Sequence, residues 1–267
     1  MRTADVRLPD GTSLPYAEQG AVSGLSVVLL HAVGESWRSW GRLLAHLPAD
    51  LRAVALTQRG HGDADKPVGG YRLADAAADV VAVLDALDLG SVLLAGTSSG
   101  GLVAQQVAVE HPHRVRGLLL VGSPRGLRGI PAPAWVHDAG ALTDPVPASF
   151  ARASVEAFAT GRPLPADFVE QMVEDGTRLP AHVWRGVMHG LLDADPPTET
   201  GRIAAPTVAL WGDRDEVLTR AEQDRLVSAV PGARLVVYEG TGHLVLWEEP
   251  ERVAADLVAL AREILSG

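Results

Sequence analysis

Along this chain, short and wholly apolar runs alternate with longer stretches whose apolar residues recur every three or four positions. The runs are Ser26–Leu30 (SVVLL), Arg52–Leu56, Ser91–Ala95, Val115–Val121, Thr207–Trp211 and Leu235–Tyr238. Runs this short, with no polar face, predict strands covered on both sides. Val6–Leu8 and Leu14–Glu18, joined through Pro9-Asp10-Gly11, predict an opening β-hairpin. Between these runs, Leu73–Leu87 places apolar residues at 73, 76, 77, 80, 83, 84 and 87, with Asp75, Asp79 and Asp85 largely off that face. That spacing predicts an amphipathic helix, which Gly90 is expected to end. Val253, Leu257, Leu260 and Ile264 mark another helix near the C-terminus, with Pro250 in its first turn. Strand and helix in alternation predict the α/β class, a mostly parallel central sheet flanked by helices.

The rhythm breaks after Val121. Residues 123–200 are rich in Pro, Ala and Gly, favour helices near 145–159 and 165–174, and offer no strong strand before Thr207. Inserted between two core strands, such a segment predicts a helical cap over the C-terminal edge of the sheet. The chain then divides into a core of residues 1–122 and 201–267 and a cap of residues 123–200.

Composition narrows the partners rather than the fold. At 267 residues and 47% apolar, the chain is long and hydrophobic enough for a large folded domain. A formal net charge of −10 disfavours nucleic acid and acidic membranes as partners. With no cysteine, disulfides, thiolate metal sites and a cysteine nucleophile are excluded. The opening MRTADVRLPDG lacks the unbroken apolar stretch of a signal peptide, and the longest apolar runs are strand-sized. A cytoplasmic protein without a membrane span is expected, as monomer or homodimer, since no periodic apolar seam demands either.

The candidate chemistry begins at LLAGTSSGG, residues 93–101, where an apolar run ends on two serines fenced by glycines. Gly96-Thr97-Ser98-Ser99-Gly100 has the form Gly-x-Ser-x-Gly, between a predicted strand and a predicted helix, Leu102–Glu110. A sharp strand-to-helix turn needs small flanks because backbones approach closely there, and Gly101 lets the helix start tight against the sheet. A serine hydroxyl attacks only when a base takes its proton and a third group orients that base. His243, in EGTGHLVLWEEP after the last predicted strand, suits the base. In LWGDRDEVL, Asp213 and Asp215 both leave a strand tip, and the residues alone do not choose between them as the acid. An oxyanion needs amide donors. The Ser99 N–H follows the nucleophile, and the loop HAVGES after Ser26–Leu30 offers Val33 first and Ala32 second.

With LLHAVGESWRSW, TQRGHGDADKP, GTSSGG, LWGDRD and GTGH in this order, the sequence resembles the α/β-hydrolase family over essentially the whole chain. The resemblance implies the α/β-hydrolase fold and a triad of Ser98, Asp215 and His243, because the family's Gly-x-x-Asp form matches Gly212 to Asp215. It matches the oxyanion donors to Ser99 and Val33. Two departures stand out: Ala32 follows His31 where the family usually has glycine, and Gln58 stands where an acidic residue is usual. Arg59 and His61 read as loop-fixing residues. Asp63 and Asp65 have no histidine cluster beside them, so no metal is expected, and GTSSGG lacks dinucleotide-loop spacing, so no cofactor is implied. Family members that open epoxides or displace halide use an aspartate nucleophile, which Ser98 replaces. The expected activity is hydrolysis of a small-molecule ester or lactone of small to medium apolar character. The pocket wall is expected from Ala32, Trp37, Trp135, Trp184 and Met188. Carbon–carbon bond hydrolysis of a dicarbonyl substrate and non-catalytic ligand binding on the same fold are the alternatives.

Overall fold

A computed structural model describes residues 1–22, 24–130, 134–159 and 161–266. Among these residues the strands are β1 (Arg2–Arg7), β2 (Ser13–Gln19), β3 (Ser26–Leu30), β4 (Arg52–Leu56), β5 (Val92–Thr97), β6 (Val115–Val121), β7 (Thr207–Gly212) and β8 (Arg234–Tyr238). They form one eight-stranded sheet in the order β1-β2-β4-β3-β5-β6-β7-β8. The hairpin β1–β2 is antiparallel and β2 lies antiparallel to β4, whereas the pairs from β4 through β8 are parallel. Every residue of β4, β5 and β7 is buried, which is why those runs show no alternation: helices cover both faces.

The helices Leu73–Ala86, Ser99–Glu110 and Arg220–Ala229 lie on one face, where Val80, Val83, Leu84, Val107 and Leu226 pack on Val28, Leu94 and Leu120. On the other face, Pro250–Ser266 buries Val253, Leu257, Leu260 and Ile264 with Leu43, Leu93 and Leu119. The first of these helices does not run to Gly90. Asp88 adopts φ 52°, and Leu89 N–H reaches back to the Leu84 carbonyl at 2.7 Å. The left-handed turn therefore falls on an aspartate, a residue that tolerates it better than most.

Between β6 and β7 come the helices Ala134–Asp138, Ala148–Glu156, Ala166–Thr177, Ala181–Leu192 and the short Pro197–Thr200. The two helices expected near 145–159 and 165–174 are present, and Ala181–Leu192 is an additional one. This segment has an apolar cluster of its own, with Trp184 fully buried among Trp135, Phe150 and Met188. It is tied to the loops after β3 and β4 by polar contacts as well. The Ser36 hydroxyl donates to Asp175 Oδ2 at 2.5 Å, Arg38 pairs with Asp175 at 3.2 Å, and Arg178 pairs with Asp63 at 2.7 Å. Asp63 thus serves an ion pair, while Asp65 Oδ2 accepts the Ser13 amide at 2.8 Å. Among the described residues no helix is long and apolar enough to cross a membrane.

Candidate active site

Parallel strands all present their C-terminal ends to one edge, and there the loops after β3, β5, β7 and β8 converge. In open α/β sheets this edge is where ligands bind. Ser98 terminates β5 and caps the helix Ser99–Glu110 with φ 47° and ψ −119°, a conformation that costs a non-glycine residue energy. The turn exists because its neighbours have no side chains. A Cβ on Gly96 would stand 2.4 Å from the Gly100 carbonyl oxygen, and one on Gly101 would stand 2.1 Å from Ser123 Oγ. A Cβ on Gly100 would stand 2.4 Å from the Leu30 oxygen and 2.5 Å from the His31 oxygen. Gly100→Ala is therefore expected to destabilise the protein by about 2 kcal/mol or more, read as a lower denaturant midpoint, because backbone rather than a flexible side chain must yield.

His243 Nε2 lies 3.2 Å from Ser98 Oγ, and its Nδ1 lies 2.8 Å from Asp215 Oδ2. The other carboxylate oxygen of Asp215 accepts the Val217 and Leu218 amides at 2.8 and 2.9 Å. A carboxylate can only accept, so Nδ1 carries the proton and Nε2 presents its lone pair to the serine hydroxyl. Asp215 and His243 are 7% and 4% exposed, which keeps water from competing for these bonds. Asp213 faces elsewhere, its Oδ1 accepting the Gly240 amide at 2.7 Å. The structure thus brings Ser98, Asp215 and His243 into one hydrogen-bonded row and sets Asp213 to hold the histidine loop.

The loop after β3 orients its amides through the planar peptide. His31 Nε2 accepts the Gln58 amide at 3.0 Å, so His31 Nδ1 bears the proton and donates to the Ala32 carbonyl at 2.7 Å. Burial, reinforced by nearby His61, holds the His31 pKa well below the usual histidine value, so the ring stays neutral in this role. With the Ala32 carbonyl held there, the Val33 N–H of the same peptide points the opposite way. It donates to Ser99 Oγ at 2.9 Å. The Ala32 N–H is engaged by Glu35 Oε2 at 3.2 Å, which leaves Val33 as the amide of this pair directed at the elbow. Gln58 also donates its side-chain amide to the His31 carbonyl at 2.7 Å, so an uncharged residue at this position braces the loop twice. His31→Ala is expected to lower kcat about 10- to 100-fold with KM nearly unchanged, because an amide turned away stabilises only the charge that develops during reaction. Steady-state kinetics on an ester that the wild type turns over would read the two constants separately.

The family described as the alpha/beta hydrolase fold matches residues 26–250. The chain belongs to the alpha/beta hydrolase fold family. Among its relatives, 3-oxoadipate enol-lactonase 2 of Acinetobacter baylyi is 25% identical, with 92% of each chain covered. A non-heme chloroperoxidase of Streptomyces lividans is 29% identical, with 96% of this chain and 99% of that one covered. Among solved structures, an esterase from a Rhodococcus species superposes with a TM-score of 0.86 at 26% identity, covering 99% of this chain and all of that one (100%).

Two chambers open from Ser98 in this α/β hydrolase. One is lined by Ala32, Glu35, Met172, Leu246 and Trp247 as well as Ser98 and His243. The other is lined by Leu127, Met188, Leu192 and Leu218 beside the same serine and histidine. Trp135 and Phe158 line both, and the Phe158 ring centroid lies 5.0 Å from that of His243. Of the expected wall residues, Ala32, Trp135 and Met188 line these chambers, whereas Trp37 and Trp184 do not. Trp184 is fully buried, donates its indole N–H to the Gly176 carbonyl at 3.2 Å and packs against Trp135 and Phe150 inside the helical segment. Trp37 packs on the core below the sheet edge, with the Arg38 guanidinium 5.3 Å from its ring.

Arg59 and His61 lie off these chambers. Arg59 pairs with Asp79 and Asp10, and His61 Nδ1 lies 2.9 Å from the Arg59 carbonyl. His61 borders a separate small cavity behind Val33 and Ser99. The wall residues absent from the sequence-based expectation include Phe158 and Glu35, along with Met172, Leu246, Trp247, Leu127, Leu192 and Leu218.

Proposed function

We propose that this α/β hydrolase cleaves a carboxylic ester or lactone through a covalent acyl-serine at Ser98. The observation that carries the reading is the row Ser98 Oγ, His243, Asp215, each within hydrogen-bond distance of the next. Ser98 Oγ attacks the carbonyl carbon while His243 Nε2 takes its proton. The Ser99 N–H and the Val33 N–H then receive the oxyanion, Val33 exchanging its bond to Ser99 Oγ for one to the substrate. As the tetrahedral species collapses, the carbon–oxygen bond to the leaving alcohol breaks and His243 returns its proton to that oxygen. Water, deprotonated by His243, adds to the acyl-serine and releases the acid by the same steps in reverse. Asp215 stabilises the imidazolium formed in each half.

Residues 123–200 supply much of both chamber walls and act in this reading as a cap that excludes water. Their aromatic and aliphatic character suits small to medium substrates with apolar portions. The esterase from Rhodococcus and the enol-lactonase from Acinetobacter support an ester or lactone carbonyl as the target. The test is intact-protein mass spectrometry after treatment with an alkyl p-nitrophenyl phosphonate, followed by a panel of p-nitrophenyl esters, lactones and 1,3-dicarbonyl compounds. A single adduct, with turnover of esters or lactones, is the expected result. An adduct with turnover of dicarbonyls alone would move the reading to carbon–carbon bond hydrolysis, and neither adduct nor turnover would leave a ligand-binding protein.

A further inference from the structure

The chamber that contains Glu35 has an unusual charge balance. Glu35 is 8% exposed and shares the cavity lining with Ser98, His243, Trp135, Phe158 and Met172. No lysine or arginine is among the described lining residues of that chamber. Arg38, three residues along the loop, is spent on Asp175 and Asp63. The charge that bears on Glu35 is that of Asp175, buried on the neighbouring helix and of the same sign. Burial raises the Glu35 carboxyl to about 7, against the opposing pull of the Ser39 hydroxyl and the Ala32 amide. Buried acids in folded proteins are ordinarily paired with a cation. Trp135, Phe158 and Trp247 line the same chamber, and aromatic faces attract cations.

We infer that the Glu35 chamber is a subsite for a protonated amine carried on one arm of the substrate. The missing counter-ion of Glu35 is then the ligand's ammonium, held by the carboxylate and flanked by aromatic rings. A carboxylate entering the same chamber would meet Glu35 with no cationic side chain in the described lining to offset it, so anionic substrate arms are rejected. The inference rests on the proposed hydrolytic reading only for its statement that the ammonium belongs to a substrate. The binding preference itself needs no turnover.

Calorimetric titration of the wild-type protein with hexylammonium, hexan-1-ol and hexanoate tests it, since none of the three can be hydrolysed. Hexylammonium is expected to bind about ten-fold more tightly than hexan-1-ol, the scale of one charge-assisted bond in a dry site, and hexanoate most weakly. Glu35→Gln is expected to abolish the preference for the ammonium while leaving hexan-1-ol affinity as in the wild type. Equal affinities for ammonium and alcohol, tighter binding of hexanoate, or no binding of any probe would overturn the inference, and the wild-type ranking decides this even if the variant does not fold. A ranking that survives Glu35→Gln would overturn it too. Methyl 6-aminohexanoate, methyl heptanoate and monomethyl adipate then separate the two claims. The expected ranking without any ester turnover would keep the subsite and discard ester hydrolysis, whereas ester turnover without that ranking would do the reverse.

Discussion

Replacing Ser98 by alanine is expected to abolish ester hydrolysis, with kcat falling by about 10⁴-fold or more, because the whole covalent route is lost at once. The folded state should scarcely notice. Alanine keeps the Cβ and with it the unfavourable φ of 47° that the elbow imposes. Ser98→Gly separates the two consequences of this position. It removes the same hydroxyl, so activity should be equally absent, but it relieves the backbone, so the denaturation free energy should rise by about 1 kcal/mol. Measured side by side, hydrolysis of p-nitrophenyl butyrate and the urea midpoint give four numbers with a definite pattern. Wild-type rates in either variant would show that another group is the nucleophile.

The second large effect concerns the two neighbouring aspartates. Asp215→Asn can still accept the Val217 and Leu218 amides through its oxygen. Its NH₂ group would then face His243 Nδ1, which must become an acceptor, and the proton moves to Nε2. A histidine protonated there cannot take the Ser98 proton, and kcat should fall by about 10⁴-fold. Asp213→Asn leaves an oxygen for the Gly240 amide, so kcat should change by less than about three-fold. Asp213→Ala loses that bond and should cost about 1 kcal/mol of stability with kcat largely kept. Kinetics and denaturation of the three variants check this, and a greater loss of kcat at 213 than at 215 would reverse the assignment of the acid.

What the chain discloses by itself follows how local each constraint is. The buried strands were legible because each is a short run with no polar face, and Ser26–Leu30, Arg52–Leu56 and Val115–Val121 match to the residue. Gly96 was legible for the same reason, since the clash it avoids lies within one strand-to-helix turn. Gly100 and Gly101 were legible from the pattern around Ser98, although the atoms they spare, on Leu30, His31 and Ser123, belong to neighbouring strand ends. The choice between Ala32 and Val33 was open in the residues, because it depends on where a carbonyl is held by His31 and, through Gln58, on a neighbouring strand end. The helix Ala181–Leu192 and the roles of the aromatic residues were hidden because their partners lie far away in sequence. Trp184 is taken up by Gly176, Phe150 and Trp135, while Phe158, no different in composition, comes to rest against His243. Glu35 gave no signal at all. An acid in a loop reads as solvated, yet Glu35 is buried and feels the charge of Asp175 on a helix distant in sequence.

The two chambers share Ser98, His243, Trp135 and Phe158, yet the lining of one includes Glu35 and that of the other Leu127, Leu192 and Leu218. In the proposed reaction the amides of Ser99 and Val33 fix where the carbonyl oxygen must lie, and Ser98 fixes the side of attack. A stereocentre beside that carbonyl has no freedom left: exchanging its two larger substituents would press an apolar arm on the buried acid and a polar arm on the leucines. The cavity is therefore handed, and of a racemic ester it would consume one mirror image ahead of the other.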